Sequence, residues 1–189
     1  MVAAISRGFL LGSKVTLRAY RREDLETYRR WLDDPRVTEY LEMGWRPTRE
    51  SDLEAWWKLT NEASDAVVFA MVDARQGALV GVCGLYAISW TARRAQFNIL
   101  IGEPKAWDKG FGTEALGLLV DYGFGVLNLN SIQLGVNADN KRAIRSYQKA
   151  GFATEGVRRD FVYRNGRYYD SVMMGLLRRD WQAGRGRKR

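Results

Sequence analysis

Apolar and polar positions along the chain switch repeatedly between a period of two and a period near 3.6. Val15, Leu17 and Ala19 alternate with polar neighbours and predict a first strand. "REDLETYRRWLDDP" changes to helical spacing, with Leu25, Tyr28 and Leu32 on one face and Pro35 just past the end. "TRESDLEAWWKLTNE" predicts a second helix, with Ser51 and Glu54 spaced as a capping box and Leu53, Trp56 and Trp57 in one stripe. "AVVFAMVD" and "ALVGVCGLYAI", separated by "ARQG", predict a hairpin, and "RRAQFNILIG" a further strand. Beyond "EPKAWDKGFGTEA", Leu116, Leu119, Val120, Gly123, Phe124 and Leu127 recur at helical spacing. "SIQLGVNA" alternates Ile132, Leu134 and Val136 as a strand. "NKRAIRSYQKAGF" predicts a short helix with Asn140 near its start and Gly151 placed to cap its end. Asn165-Gly166, inside "FVYRNGRYYDSVMMGLL", is the strongest short hairpin signal in the chain. No repeat, linker or low-complexity insert interrupts this order, so the expectation is one α/β domain, strands first and then a β-α-β-α core.

Composition narrows the chemistry. Apolar residues make up 46% of 189 residues, enough for one well-buried core. Histidine is absent and Cys83 is the lone cysteine, which excludes Ser-His-Asp triads, Cys–His dyads and His-containing or multi-thiolate zinc sites. Any general base is a carboxylate, tyrosine, lysine or ordered water. A lone cysteine fits a reducing compartment, no apolar run approaches the ~18 residues of a membrane span, and Arg7 interrupts the apolar start. Cytoplasmic location without membrane contact is expected. The net charge of +8 favours an anionic partner. Part of it lies in the final "GRGRKR", and residues 182–189 are read as a basic, disordered tail beyond a domain spanning 13–181. No nucleic-acid module accompanies the charge, so nucleic acid is not the expected partner.

Gly110 and Gly112 straddle Phe111 just ahead of a predicted helix. Backbone N–H groups in such a turn, aimed by the helix, form an anion site, although a plain strand-to-helix turn would need no more. A phosphate loop of the Gly-Lys-Ser/Thr type is excluded, because Thr113-Glu114 follows Gly112. The run from Gly110 to Ala115 has dinucleotide-fingerprint spacing, but Glu103 to Lys109 separate it from the strand and Asp139 comes too late for the ribose. A diphosphate carried on a long, thin arm is the third reading.

"FNILIGEPKAWDKGFGTEAL" followed by "NADNKRAIRSYQKAGF" resembles the GCN5-related N-acetyltransferases. The second segment carries the pattern of Asn140, Ala143, Tyr147 and Gly151-Phe152. The likeness runs from about Val15 to Trp181. "RRAQFNILIG", "DYGFGVLNL" and "NGRYYDSVMM" point to the branch of spermidine and ribosomal-protein N-terminal acetyltransferases. The resemblance implies a single-domain mixed, mostly antiparallel twisted sheet of about seven strands flanked by helices, with two parallel central strands, "FNILI" and "SIQLGV", splaying apart. It implies acetyl-CoA as cosubstrate and no metal. Leu100 and Ile101 would lie along the pantetheine arm, with a backbone N–H of that strand polarising the thioester. Trp107, Asp108, Lys109, Gly110, Phe111, Gly112 and Thr113 would hold the diphosphate. The family's loop often opens with Arg or Gln where this chain has Trp107, which puts one side-chain contact in doubt.

Asn140, Ala143 and Tyr147 fall at i, i+3 and i+7, one face of a helix. By resemblance Tyr147 is the proton donor to the departing thiolate; taken alone it reads as a core aromatic. Relatives often place a glutamate base on the strand before the loop, where this chain has Gln96. Neither Gln96 nor Asn98 takes a proton, which leaves water, Glu42 or Glu103. Trp45, Trp56, Trp57 and Trp90, with Tyr168 and Tyr169, are expected to line the acceptor pocket beside Glu42, Gln96 and Asn98, although core packing also accounts for the Trp56-Trp57 pair. The acceptor is a small-molecule or peptide amine: a protein N-terminus, polyamine, aminosugar or aminoglycoside, with net charge weighing against polyamines. A non-catalytic acyl-CoA sensor, a basic RNA- or ribosome-docking protein, and a homodimer remain alternatives.

Overall fold

The computed structural model describes residues 8–186. The alternating first run forms β2 (Val15–Ala19), preceded by β1 (Leu10–Leu11). Helices α1 (Leu25–Leu32) and α2 (Glu50–Glu62) come next, then β3 (Val67–Asp73), β4 (Leu79–Ser89) and β5 (Arg94–Ile101). Helix α3 (Phe111–Gly125), β6 (Ser131–Asn137), α4 (Lys141–Lys149), β7 (Ala153–Arg164), β8 (Arg167–Leu177) and α5 (Arg178–Gly186) complete the order. The eight strands form one sheet in the order β1-β2-β3-β4-β5-β6-β8-β7. Every neighbouring pair is antiparallel except β5 and β6. The additional strand, β1, is two residues long and too short to leave a periodic signal.

Alternation along each strand splits the core between the two sheet faces. Leu85, Phe97, Ile132 and Met174 face α3, whose Leu116, Leu119 and Phe124 are almost completely shielded from water. On the other face, Tyr20, Tyr28 and Trp31 cover Val68, Ala70 and Val82. Removing one such large side chain from water contributes roughly 1.5–3 kcal/mol. Between strand and helix, Arg18 and Asp24 form a bidentate pair at 2.7 and 2.8 Å, with only 8% and 5% of the residues exposed. Asp24 also accepts the Arg21 amide at 2.8 Å, so the chain reversal into α1 is held by a carboxylate that cannot be vacated cheaply.

Four local expectations differ. On α1 the inner face carries Trp31 rather than Leu32, which is half-buried, because the Trp31 ring lies against Gly102, where a β-carbon would collide with it. The start of α2 is capped by Asp52, which accepts the Arg49 amide at 2.9 Å and the Arg46 guanidinium, and not by Ser51 and Glu54. Glu54 instead pairs with Arg22. Leu127 lies past the end of α3. Finally, residues 182–186, expected to be disordered, continue α5, with Trp181 Nε1 and Arg185 both donating to Asp121. Residues 187–189 of the expected tail, and Arg7 at the other end, lie outside the described residues.

Candidate active site

Only Arg94, Ala95 and Gln96 of β5 pair with β6, opposite Ser131, Ile132 and Gln133. Beyond Gln96 the two parallel strands part. Which backbone groups this frees follows from register: the Gly102 N–H bonds the Val80 carbonyl of β4 at 3.0 Å, so even-numbered residues of β5 turn their main-chain groups towards β4. Phe97, Ile99 and Ile101 turn theirs into the gap. The Ile101 carbonyl there accepts the Trp107 indole N–H at 2.9 Å, pinning the loop to the strand. Leu100, expected with Ile101 along the pantetheine arm, lines the groove while its main-chain groups face β4. The residue of this strand whose N–H is free to reach a ligand in the gap is Ile99, not Leu100. Sequence alone could not assign it, since it depends on pairing register.

The loop beyond opens onto the start of α3. Gly110 is its N-cap, in the left-handed region at φ +87°, and has no side chain to cap the helix. The Glu114 amide is the first to reach a carbonyl, that of Gly110 at 3.1 Å. The amides of Phe111, Gly112 and Thr113 therefore have no helical acceptor and carry the positive end of the helix dipole. A β-carbon added at Gly112 would sit 3.7 Å from Ile99 and 3.8 Å from Ile101, ordinary contact distances, so the fold itself does not require glycine there. A ligand lying against those amides would require it. Uncapped amides, a missing side chain and an open strand edge together fit a diphosphate with a peptide-like arm.

The helix start is held in place by Glu114. Its carboxylate accepts the Ser13 hydroxyl at 2.6 Å and the amides of Ser13, Lys14 and Val15 at 3.0, 2.7 and 2.8 Å. Partial burial works to raise its pKa, but these four bonds prevail and the net shift is downward. Lys14 Nζ donates to the Lys109 carbonyl at 2.9 Å, so Lys109 serves the loop through its backbone while its side chain is exposed.

Helix α4 forms the opposite wall. Asn140 Oδ1 accepts the Ala143 amide at 3.1 Å as an N-cap. The hydroxyls of Thr113 and Ser146 lie 2.9 Å apart and join α3 to α4. Tyr147 packs edge-on against Phe97, ring centroids 6.1 Å apart, and beside Phe152. Burial pushes its phenol up to about 12. Ile99, Ile101, Gly112, Thr113, Asn140 and Tyr147 face one groove of about 690 Å3, which Leu100, Trp107, Asp108, Phe111 and Ala143 also line. Arg142, Arg145 and Lys149 stand along it too; their spacing on α4 was the available signal, and it reads equally as a solvated face.

Gln96 and Asn98 are exposed on the sheet face away from α3. Their row continues through Gln133 to Gly175, over which Glu155 lies, with Gln133 Nε2 3.5 Å from its carboxylate. Glu155 was not singled out by sequence because no local spacing relates it to Gln96. Glu103 is engaged by the Trp31 indole N–H at 3.0 Å and Glu42 is exposed. The expected aromatic acceptor wall is not assembled. Trp45 and Trp56 line a separate cavity of about 330 Å3 with Tyr28, Leu32 and Met43. Trp57 packs under Arg22, Trp90 donates to the Ser64 carbonyl, Tyr168 packs at a tilt against Tyr163 near the hairpin tip and Tyr169 lies under Arg167. Aromatic content fixed none of these destinations; each ring went to the nearest cation, carbonyl or apolar face. Arg164 does bring the hairpin to the segment holding Glu42, through the Leu41 and Met43 carbonyls and the Thr38 hydroxyl.

Comparison with known proteins agrees with this geometry. Residues 14–153 match the family described as acetyltransferase (GNAT) domain. Over 173 residues the chain is 32% identical to the spermidine N(1)-acetyltransferase of Escherichia coli K12, covering 89% of each chain. It is also 32% identical over 176 residues to the uncharacterized N-acetyltransferase p20 of Bacillus licheniformis, covering 91% of this chain and 97% of that one. The crystal structure of spermidine N-acetyltransferase from Vibrio cholerae in complex with CoA and spermine superposes with a TM-score of 0.81 at 30% identity, covering 90% of this chain and 99% of the other. A parted pair of parallel strands, an uncapped helix start facing the gap and a likeness spanning nearly the full chain lead to one conclusion: the chain belongs to the GNAT family and is an acetyl-CoA-dependent N-acyltransferase.

Proposed function

We propose that the protein moves the acetyl group of acetyl-CoA directly to a primary amine, with both substrates bound together. The carrying observation is that the gap between β5 and β6 opens at one end onto the free amides of α3 and is walled by Tyr147. Binding the diphosphate at Phe111–Thr113 runs the arm along Phe97–Ile101 and brings the thioester to the phenol. The Ile99 N–H, turned into the gap, polarises the acetyl carbonyl; losing one such donor costs roughly 3 kcal/mol.

The amine attacks from the face carrying Gln96 and Asn98, forming the C–N bond as the C–S bond breaks. With its pKa near 12, Tyr147 is protonated at every working pH and acts as a donor. Complete transfer of its proton to a thiolate of pKa about 8.5 is uphill by about 5 kcal/mol, so Tyr147 stabilises the sulfur charge through a hydrogen bond and the proton arrives finally from water. Neither Gln96 nor Asn98 accepts the ammonium proton; water on this open face takes it, with Glu155 the carboxylate placed to receive it.

As to the acceptor, Asp139 at the groove is already paired with Arg167. This, with the net charge, favours a single amine, such as a peptide N-terminus or aminosugar, over a polycation. Thiol release from acetyl-CoA, measured across spermidine, peptide N-termini, aminosugars and aminoglycosides, tests the proposal. Release dependent on one amine class supports it. Tight coenzyme binding without release for any amine would leave a sensor.

A further inference from the structure

The groove places a carboxylate beside its own anion site. Asp108 lies two residues before the helix cap Gly110, at a left-handed φ of +59°, and lines the groove with its side chain 74% exposed. Left unneutralised, that charge opposes any phosphate on the α3 amides. Its partner comes from the other wall: Arg142 Nη1 of α4 lies 3.3 Å from Asp108 Oδ2. The guanidinium is also set over the Trp107 ring, 5.3 Å from its centroid, and that ring is fixed by its bond to the Ile101 carbonyl. The single long contact to Asp108 engages one of the five guanidinium N–H donors. A cation parked on a fixed aromatic plane, with donors to spare and half its side chain exposed, suits a ligand better than it suits a structural ion pair.

We propose that Arg142 is the phosphate-gripping cation of the groove, held ready by Trp107 and Asp108 and passed to the diphosphate when the coenzyme binds, with Asp108 as the counter-charge that limits affinity. The proposal rests on the reading that the diphosphate lies at the start of α3. It assigns opposite signs to two partners of one ion pair, which a purely structural bridge cannot do. Replacing Arg142 weakens binding; replacing Asp108 strengthens it.

Calorimetric titration of CoA into the wild-type protein, Arg142→Gln, Arg142→Lys and Asp108→Asn, at low and high salt, reads this directly. Arg142→Gln is expected to weaken binding about tenfold or more and to flatten the salt dependence. Arg142→Lys restores part of the affinity, and Asp108→Asn tightens it about two- to fivefold. The loss of turnover in Arg142→Gln should be larger with acetyl-CoA than with acetyl-pantetheine, which lacks the diphosphate. If Asp108→Asn leaves affinity unchanged or weakens it, or if Arg142→Gln loses activity equally with acetyl-pantetheine, the proposal is overturned. A wild-type protein that fails to bind CoA would instead bring down the groove assignment and this proposal together.

Discussion

Tyr147 enters the groove as a half-buried residue on a helix whose previous turns present Ala143 and Asn140. The donor role proposed for it has a kinetic signature. Tyr147→Phe keeps the ring contacts with Phe97 and Phe152, so turnover should fall about 10²-fold while the Michaelis constant for acetyl-CoA changes little. Steady-state thiol release checks both numbers, and an equal rise in the Michaelis constant would assign the residue to binding instead. Gly112 separates fold from function differently. A methyl at this position meets Ile99 and Ile101 at ordinary distances, so Gly112→Ala should unfold at the wild-type temperature yet bind CoA about 5- to 150-fold more weakly, equivalent to about 1–3 kcal/mol of steric conflict. Differential scanning fluorimetry with and without CoA reports both halves. Asn140, Ala143 and Tyr147 were legible in the sequence because one helix carries them at fixed spacing. Ile99 and Glu155 were not, because their directions depend on strand pairing and on a neighbouring glycine, neither of which leaves a local pattern.

Between elements, the critical joint is Glu114, one carboxylate tying the start of α3 to the start of β2 through four donors. Glu114→Ala should lower stability by about 2–4 kcal/mol and disturb the loop that α3 aims. Its folded pKa is depressed, so the stabilisation is present above the ordinary carboxylate pKa of about 4.3 and is lost as pH falls below it. Urea unfolding of wild type and Glu114→Gln should therefore converge in acid; a constant difference down to the folded pKa would refute the assignment. At this scale the sequence was a good guide wherever periodicity decided the matter, as in β5, α3, β6 and the Asn165-Gly166 hairpin. It misjudged the cap of α2, where Asp52 accepts both Arg46 and the Arg49 amide, because Ser51 and Glu54 offered the same spacing two residues later.

Across the molecule, ionisation of buried aromatics sets an alkaline limit. Burial raises the pKa values of Tyr20, Tyr28, Tyr86 and Tyr147, and for these groups the folded state holds protons that the unfolded chain releases near pH 10. Stability should be level with respect to them below about pH 10 and fall as pH climbs beyond it. Unfolding midpoints measured from pH 8 to 12, alongside tyrosinate absorbance, test this; tyrosines that all ionise near pH 10 in the folded protein would contradict it. Under the proposed function the coenzyme and the acceptor meet from opposite faces of this one sheet, which is a statement of geometry. A crystal structure with CoA measures it most directly. The account predicts the diphosphate on the amides of Phe111–Thr113 and the sulfur within about 4 Å of the Tyr147 hydroxyl. CoA bound away from the α3 start, or a sulfur out of the phenol's reach, would contradict it.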